Sequence, residues 1–344
     1  MKFSTNSYHA PRDWMRIQSI DMHTGGEPLR VILDGFPALK GKNVLELRRY
    51  AKAHYDHLRT ALMFEPRGHA DMYGCIIVSS EVADFGVIFL HNEGYSTMCG
   101  HATIAITKLA VEAGWVKVEE PETSIKIEAP CGVLTACARV KNGVAHHIRF
   151  LNVPSFVVAL DEQTEVPGIG KVTYDLAYGG AFYAYVDAGK LGLSCTPDHY
   201  QQLISTGMKI KRSVIKSSNK IHHPSEEDLS FLYGTIFIGG PVSEGVNSRN
   251  VCVFAEGEVD RSPTGSGVSG RVAIHHRRNE LAVGESMRIE SILGSTFDCK
   301  IIKTEKYGSY QAVIPEVSGE AHYTGKNEFW IDPNDPFNKG FIFR

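Results

Sequence analysis

Short apolar runs recur along the chain, most of them β-branched or aromatic and bounded by Gly, Pro, Asn or Ser. Cys75–Val78, Val87–Leu90, Ser124–Ile127, Ile148–Val153, Phe182–Val186, Thr235–Ile238, Asn250–Phe254 and Met287–Ile292 read as strands on this pattern. Four segments carry helix signals instead. Asn43 is a good N-cap for a helix running to about Leu62, with Leu45, Leu47 and Leu58 among its apolar positions. Gly100 to Ala113 alternates small and apolar residues and meets a C-cap signal at Gly114. Asp198 to about Ser217 follows Pro197, and Gly265 to about Arg278 ends in two arginines that suit the negative end of a helix dipole.

The order of these elements repeats: a long helix, strands, a short glycine-led helix, more strands. The two short helices also begin alike. Ser96-Thr97-Met98-Cys99-Gly100-His101 lines up with Arg261-Ser262-Pro263-Thr264-Gly265-Ser266, and Cys99 and Thr264 stand 165 residues apart in a chain of 344. An internal duplication is expected, giving two similar α/β halves, each with mixed strands around one buried helix. A cleft between halves is the usual place for a ligand.

Composition narrows the function classes. Apolar residues make up 43% and charged residues 22%, the balance of a folded globular chain. The 36 basic and 39 acidic residues nearly cancel, so there is no electrostatic case for nucleic acid or an anionic membrane as partner. No apolar run has membrane-spanning length, and Met1–Trp14 is polar, so a cytoplasmic location is expected. The seven scattered cysteines show no CxxC pair and read as free thiols. Fifteen histidines form no H-E-x-x-H and no zinc spacing, so no metal site is expected. Gly265–Gly270 spells G-x-G-x-x-G, but a loop with Pro263 separates it from the preceding strand, which argues against a dinucleotide site.

Cys99 is the most informative residue. The unpaired N–H groups and partial positive charge of a helix start favour a thiolate, and a neighbouring histidine is expected to lower the thiol pKa further. The N–H groups of Gly100 and His101 are also suited to a substrate carboxylate. Gly265 and Ser266 would offer a matching pair from the other side. Asp260 could accept from a substrate ammonium, or be a solvated loop acid. Thr264 could serve chemistry, or simply cap its helix. His23, in a polar glycine-rich turn after the first strand, could line a site or only shape the turn. No G-x-S-x-G is present, which sets aside an α/β-hydrolase.

Five motifs carry a resemblance. Asp21–Arg30 (D-M-H-T-G-G-E-P-L-R), Glu65–Gly74 (E-P-R-G-H-A-D-M-Y-G), Met98–His101 (M-C-G-H), Tyr178–Ala184 (Y-G-G-A-F-Y-A) and Asp260–Gly267 (D-R-S-P-T-G-S-G) resemble the proline racemase family, in order and over nearly the whole chain. The resemblance implies a diaminopimelate-epimerase-like fold with its site between two pseudo-symmetric halves. The expected division is 1–175, carrying Cys99, and 176–324, carrying Asp260 and Thr264, with about 325–344 packing back on the first half. It implies cofactor-free chemistry at the α-carbon of a proline-like acid. Cys99 takes the family's catalytic position, and Gly100, His101, Asp260, Gly265 and Ser266 its substrate-binding positions.

The family's racemases and epimerases carry cysteine at both helix starts, whereas this chain has Thr264 at the second. The Cys/Thr pattern resembles the branch whose members dehydrate trans-3-hydroxy-L-proline. The expected reaction is therefore removal of the α-proton by Cys99 and loss of the 3-hydroxyl as water, giving Δ1-pyrroline-2-carboxylate. Thr264 would hydrogen-bond the leaving hydroxyl, and the group that protonates it stays open. The alternatives are a proline racemase or hydroxyproline 2-epimerase using another second acid, with Cys252 and Cys299 as candidates by type, and a non-catalytic binder of a small amino acid. A homodimer is the expected assembly.

Overall fold

The computed structural model describes residues 9–241 and 243–343. The first eight residues of the polar stretch Met1–Trp14, and Arg344 at the end of the C-terminal segment, lie outside the described residues. The chain opens with a hairpin, β1 (Met15–Thr24) and β2 (Glu27–Asp34). Gly25 and Gly26 close it at φ 62° and 92°. Two consecutive left-handed residues make a type I′ turn, which glycine adopts without strain.

Then follow α1 (Val44–His54), α2 (Asp56–Met63), β3 (Tyr73–Val78), β4 (Phe85–His91), β5 (Gly94–Tyr95), α3 (Gly100–Glu112), β6 (Glu122–Ala129), β7 (Gly132–Lys141) and β8 (Val144–Leu151). β2 runs parallel to β3, β4 lies antiparallel to β3 and β5 and parallel to β6, and β6, β7 and β8 continue antiparallel. A long hairpin of β9 (Ser155–Val166) and β10 (Gly170–Tyr178) leads into β11 (Phe182–Asp187). Next come α4 (Tyr200–Ser217), β12 (Leu232–Gly239), β13 (Ser248–Phe254), β14 (Glu258–Val259), α5 (Gly265–Arg277), β15 (Ser286–Glu290), β16 (Thr296–Tyr307) and β17 (Tyr310–Gly319). β11 runs parallel to β12, β13 lies antiparallel to β12 and β14 and parallel to β15, and β15, β16 and β17 continue antiparallel. The last strand, β18 (Ala321–Ile331), pairs antiparallel with β1, from Met15 opposite Ile331 to Thr24 opposite Ala321.

α3 is buried on all sides but for Lys108 and Glu112, with its apolar residues from Ala102 to Val111 inside the core. A helix apolar all round must be enclosed. Its threonines satisfy themselves locally: Thr103 Oγ1 donates to the Cys99 carbonyl and Thr107 Oγ1 to the Thr103 carbonyl, each at 2.7 Å. α5 is buried from Gly265 to Ile274, and its Arg271 is held by Asn250 Oδ1 at 2.7 Å. Among the described residues no helix is long and apolar enough to cross a membrane.

The helix expected from Asn43 to Leu62 is two helices, broken at Tyr55 (φ −130°, ψ 20°). Asn43 caps the first by accepting from Glu46 N–H at 2.9 Å. The break redirects α2 so that Leu58, Ala61, Leu62 and Met63 are buried, while Arg59 bonds the carbonyls of His91 and Asn92.

Candidate active site

The N-termini of α3 and α5 meet face to face. A Cβ added at Gly100 would lie 2.5 Å from Gly265 Cα, and one at Gly265 would lie 2.5 Å from Gly100 Cα. Only a pair of glycines lets two backbones approach this closely. The remaining glycines of the 265–270 run serve the same packing: a Cβ at Gly267 would strike Ile236, and one at Gly270 would strike the Tyr185 hydroxyl. Both helices thus present their first N–H groups, those of Gly100, His101, Gly265 and Ser266, to one spot. These groups have no carbonyl partner within their own helices.

Cys99 is the N-cap of α3, in extended backbone and 5% exposed. Its Sγ lies 3.1 Å from His101 Nδ1, and His101 Nε2 lies 3.2 Å from the Pro28 carbonyl. A carbonyl only accepts, so Nε2 carries the ring proton and Nδ1 faces the sulfur as an acceptor. Burial holds the His101 pKa down at about 3 despite the hydrogen bond to Pro28, so the ring is neutral at pH 7. Burial also pushes the Cys99 thiol well above its ordinary value, against the Ala102 N–H and Tyr73, which favour the thiolate. This corrects the expectation of a lowered thiol pKa. The helix start and the histidine are in place, but desolvation outweighs the first, and the second has no charge to contribute.

Thr264 precedes α5 at φ 69°, ψ 96°, a region that β-branched residues rarely occupy. Its side chain makes no cap bond; the buried hydroxyl instead faces Asp260 and Cys252 and favours the ionised form of each. The simple cap left open by the sequence is therefore not what this residue is. Asp260 is also buried, and its Oδ1 accepts from Ser262 N–H at 2.7 Å. Burial raises its pKa to about 6, with the Ser262 bond opposing the rise. It is not a solvated loop acid. Ser266 Oγ sits 2.7 Å from the Tyr183 hydroxyl.

Cys99, Gly100, His101, Asp260, Thr264, Gly265 and Ser266 line one cavity, joined there by Glu27, Tyr73, Tyr183, Tyr233, Cys252 and Phe254. Of these six, Cys252 was a candidate by type alone, and the other five escaped the sequence reading. All but Glu27 are apolar or aromatic residues within strands, a pattern that marks core as readily as a site. Glu27 stood in the first motif, next to the turn. His23 is not brought to the cavity. Neighbours on a strand face opposite ways, so while Thr24 Oγ1 donates to the His101 carbonyl at 2.9 Å, His23 faces outward beside His322, with ring centroids 5.1 Å apart. Cys299 is buried away from the cavity.

The cavity holds about 20 Å³, room for roughly one water molecule. Tyr233, stacked on Phe254 with centroids 5.2 Å apart, separates it from an outer cleft of about 1000 Å³ that is also lined by Arg48, Arg59 and Lys211. A proline-sized molecule needs more room than this, so the cavity walls must move to admit it.

Two opposed helix starts over a closed cavity, one bearing a thiol and the other a hydroxyl, place the molecule in the structural class of proline racemases and hydroxyproline epimerases. A hydroxyproline epimerase from Agrobacterium vitis, crystallised with trans-4-hydroxy-L-proline, superposes with a TM-score of 0.90 at 30% identity over 96% of both chains. A PhzF-family phenazine biosynthesis protein from Bacillus anthracis shares the fold alone, with a TM-score of 0.56 at 12% identity over 91% of this chain and 99% of its own. The chain belongs to the proline racemase family, whose model matches residues 19–342. A trans-3-hydroxy-L-proline dehydratase from Colwellia psychrerythraea is 53% identical over 96% of this chain and 94% of its own. The trans-3-hydroxy-L-proline dehydratase of Homo sapiens is 46% identical, with 94% of each chain covered.

Proposed function

We propose that the protein removes water from trans-3-hydroxy-L-proline to give Δ1-pyrroline-2-carboxylate, acting as a hydro-lyase. The observation that carries this reading is the pairing of Cys99 with Thr264 at abutting helix starts, in a chain 53% identical to a protein named for that dehydration. The substrate carboxylate sits on the N–H groups of Gly100, His101, Gly265 and Ser266. Asp260 accepts from the ring ammonium. That ammonium puts a positive charge beside Sγ and so favours the thiolate, which takes the C2 proton. Negative charge spreading onto the carboxylate in the transition state strengthens its hydrogen bonds to the four N–H groups. With a hydroxyl on the opposite face, no thiol reprotonates C2 from there, and loss of the 3-hydroxyl is the way forward. The enamine then tautomerises to the cyclic imine.

The division into halves 1–175 and 176–324 belongs to the same reading. It is supported by the parallel–antiparallel order of β2, β3, β4 and β6, which recurs in β11, β12, β13 and β15. Pairing of β18 with β1 supports a return of the C-terminal segment to the first half.

A second reading, epimerisation, draws on Cys252, a buried thiol that lines the cavity from the half bearing Thr264. Incubation with trans-3-hydroxy-L-proline in D2O separates the two. Cyclic imine as the main product supports dehydration; recovered amino acid deuterated at C2 in both configurations would replace it with epimerisation. Thr264→Cys is expected to lower dehydration about tenfold or more and to add C2 exchange. If neither rate changes, Thr264 takes no part in the chemistry.

The pH profile follows from Asp260. Its pKa is raised to about 6, so the ionised form needed for the ammonium is lost as pH falls through about 6. kcat/KM should therefore show an acid limb near pH 6. In Asp260→Asn that limb should vanish on a lowered plateau; an unchanged limb would assign it elsewhere.

A further inference from the structure

A hydroxide leaving from C3 needs a proton, and neither Cys99 nor Thr264 supplies one on the correct side. In trans-3-hydroxy-L-proline the hydroxyl and the carboxylate lie on opposite ring faces. The C2 hydrogen and the hydroxyl therefore share a face, and it is the face that Cys99 attacks. Thr264 lies on the other side, so the hydrogen bond to the leaving hydroxyl expected of it is given up here.

We infer that Glu27 is the acid that protonates the departing 3-hydroxyl, an inference that rests on the dehydration proposed above. Glu27 begins β2, is fully buried and lines the catalytic cavity. Its Oε2 is fixed by Arg261 N–H at 2.7 Å, while Oε1 is buried and has no hydrogen-bond partner. One oxygen is thus anchored and the other is left for a ligand. The hairpin that carries Glu27 is fastened to the thiol's own helix: His101 Nε2 donates to the Pro28 carbonyl, and Thr24 Oγ1 to the His101 carbonyl. Thiol and carboxyl are close enough that negative charge on Glu27 raises the Cys99 pKa. Burial, with Asp260 nearby, raises the Glu27 pKa well above the carboxylate range, which keeps it a proton donor.

The step balances without any co-reactant. Cys99 Sγ takes the C2 proton, and the C–H electron pair becomes the C2–C3 double bond. The C3–O bond breaks with its pair on oxygen, and that oxygen takes the Glu27 proton and leaves as water. The thiol proton then returns to the Glu27 carboxylate through that water, restoring both groups.

The test compares two leaving groups. Fluoride departs as an anion and needs no proton. With Glu27→Gln, kcat for trans-3-hydroxy-L-proline should fall about 10²–10³-fold, while fluoride release from trans-3-fluoro-L-proline should fall by no more than about tenfold. Glu27→Asp, which keeps an acid, should recover part of the dehydration. Equal losses on both substrates would overturn the inference and leave Glu27 as a support for the Arg261 loop. The unmodified protein gives a check that needs no variant to fold. As pH rises, the ratio of dehydration to fluoride release should drop. Asp260, Asp71 and Arg261 face Glu27, as do Cys99, Cys252 and the neutral His101 across the cavity, but their titration bears on both substrates alike. A ratio constant with pH would count against Glu27. Absence of imine from the unmodified protein would overturn the dehydration itself, a result distinct from equal losses in the variant.

Discussion

Cys99→Ser should lower kcat for dehydration by about 10²–10⁴-fold, the range for losing a positioned general base. The substitution keeps the size and the N-cap place of the side chain but replaces a thiol with a far weaker acid, whose conjugate base is scarcely populated. In this cavity the loss is sharpened by burial, which already pushes the thiol pKa up. The serine oxygen would suffer the same desolvation from a much higher starting point. Binding should survive, because the carboxylate contacts come from backbone N–H groups that the change does not touch. The expected pattern is a collapsed kcat with a KM within a few-fold, read from imine formation. Near-normal turnover would remove Cys99 from its role.

Gly100→Ala is the second large effect, and two opposing contributions fix its sign. Alanine in place of glycine favours a helix by about 1 kcal/mol in an interior position. Here, however, the new methyl would sit 2.5 Å from Gly265 Cα, against backbone that cannot rotate away. Overpacking of this kind costs about 1–3 kcal/mol, so the net change is destabilising. Activity should suffer more than stability. The two helix starts must part by about an ångström, and misplacement on that scale costs about 10²-fold in rate. Thermal unfolding alongside kcat/KM checks both parts. A variant with unchanged midpoint and unchanged activity would show that the helices do not need to touch.

Much of the site could be read before the fold was known, because it is built on helix starts, which have local signatures. Cys99, Gly100 and His101, like Thr264, Gly265 and Ser266, announce themselves by small residues ahead of an apolar helix. What escaped depends on long-range pairing. Tyr73 and Tyr233 look like strand residues and become walls only when their strands are brought together around the cavity. Glu27 and His23 share one motif. Which of them faces inward is set by hairpin register, and that is fixed by the glycine turn and by the partner strand. The break at Tyr55 was hidden because residues 43–62 suit a helix throughout, and only the demands of two different packing surfaces divide it. β18 is largely exposed, without the alternation that marks a half-buried strand, and it exists because β1 offers it an edge. The thiol pKa misled for a similar reason: helix starts are local, but desolvation depends on everything that covers them.

The backbone at Thr264 bears on how this chemistry diversifies. Its positive φ costs about 1–3 kcal/mol for a residue with a side chain, and no cap bond from the side chain offsets it. The surrounding loop and the abutting helices therefore hold the conformation, whichever side chain stands there. On the reading proposed above, the reacting atom at this position is exchangeable without rebuilding the scaffold, so elimination and inversion become neighbouring outcomes of one backbone. On that reading, product can diverge ahead of shape, and the single atom borne at this position says more about the product than overall likeness does.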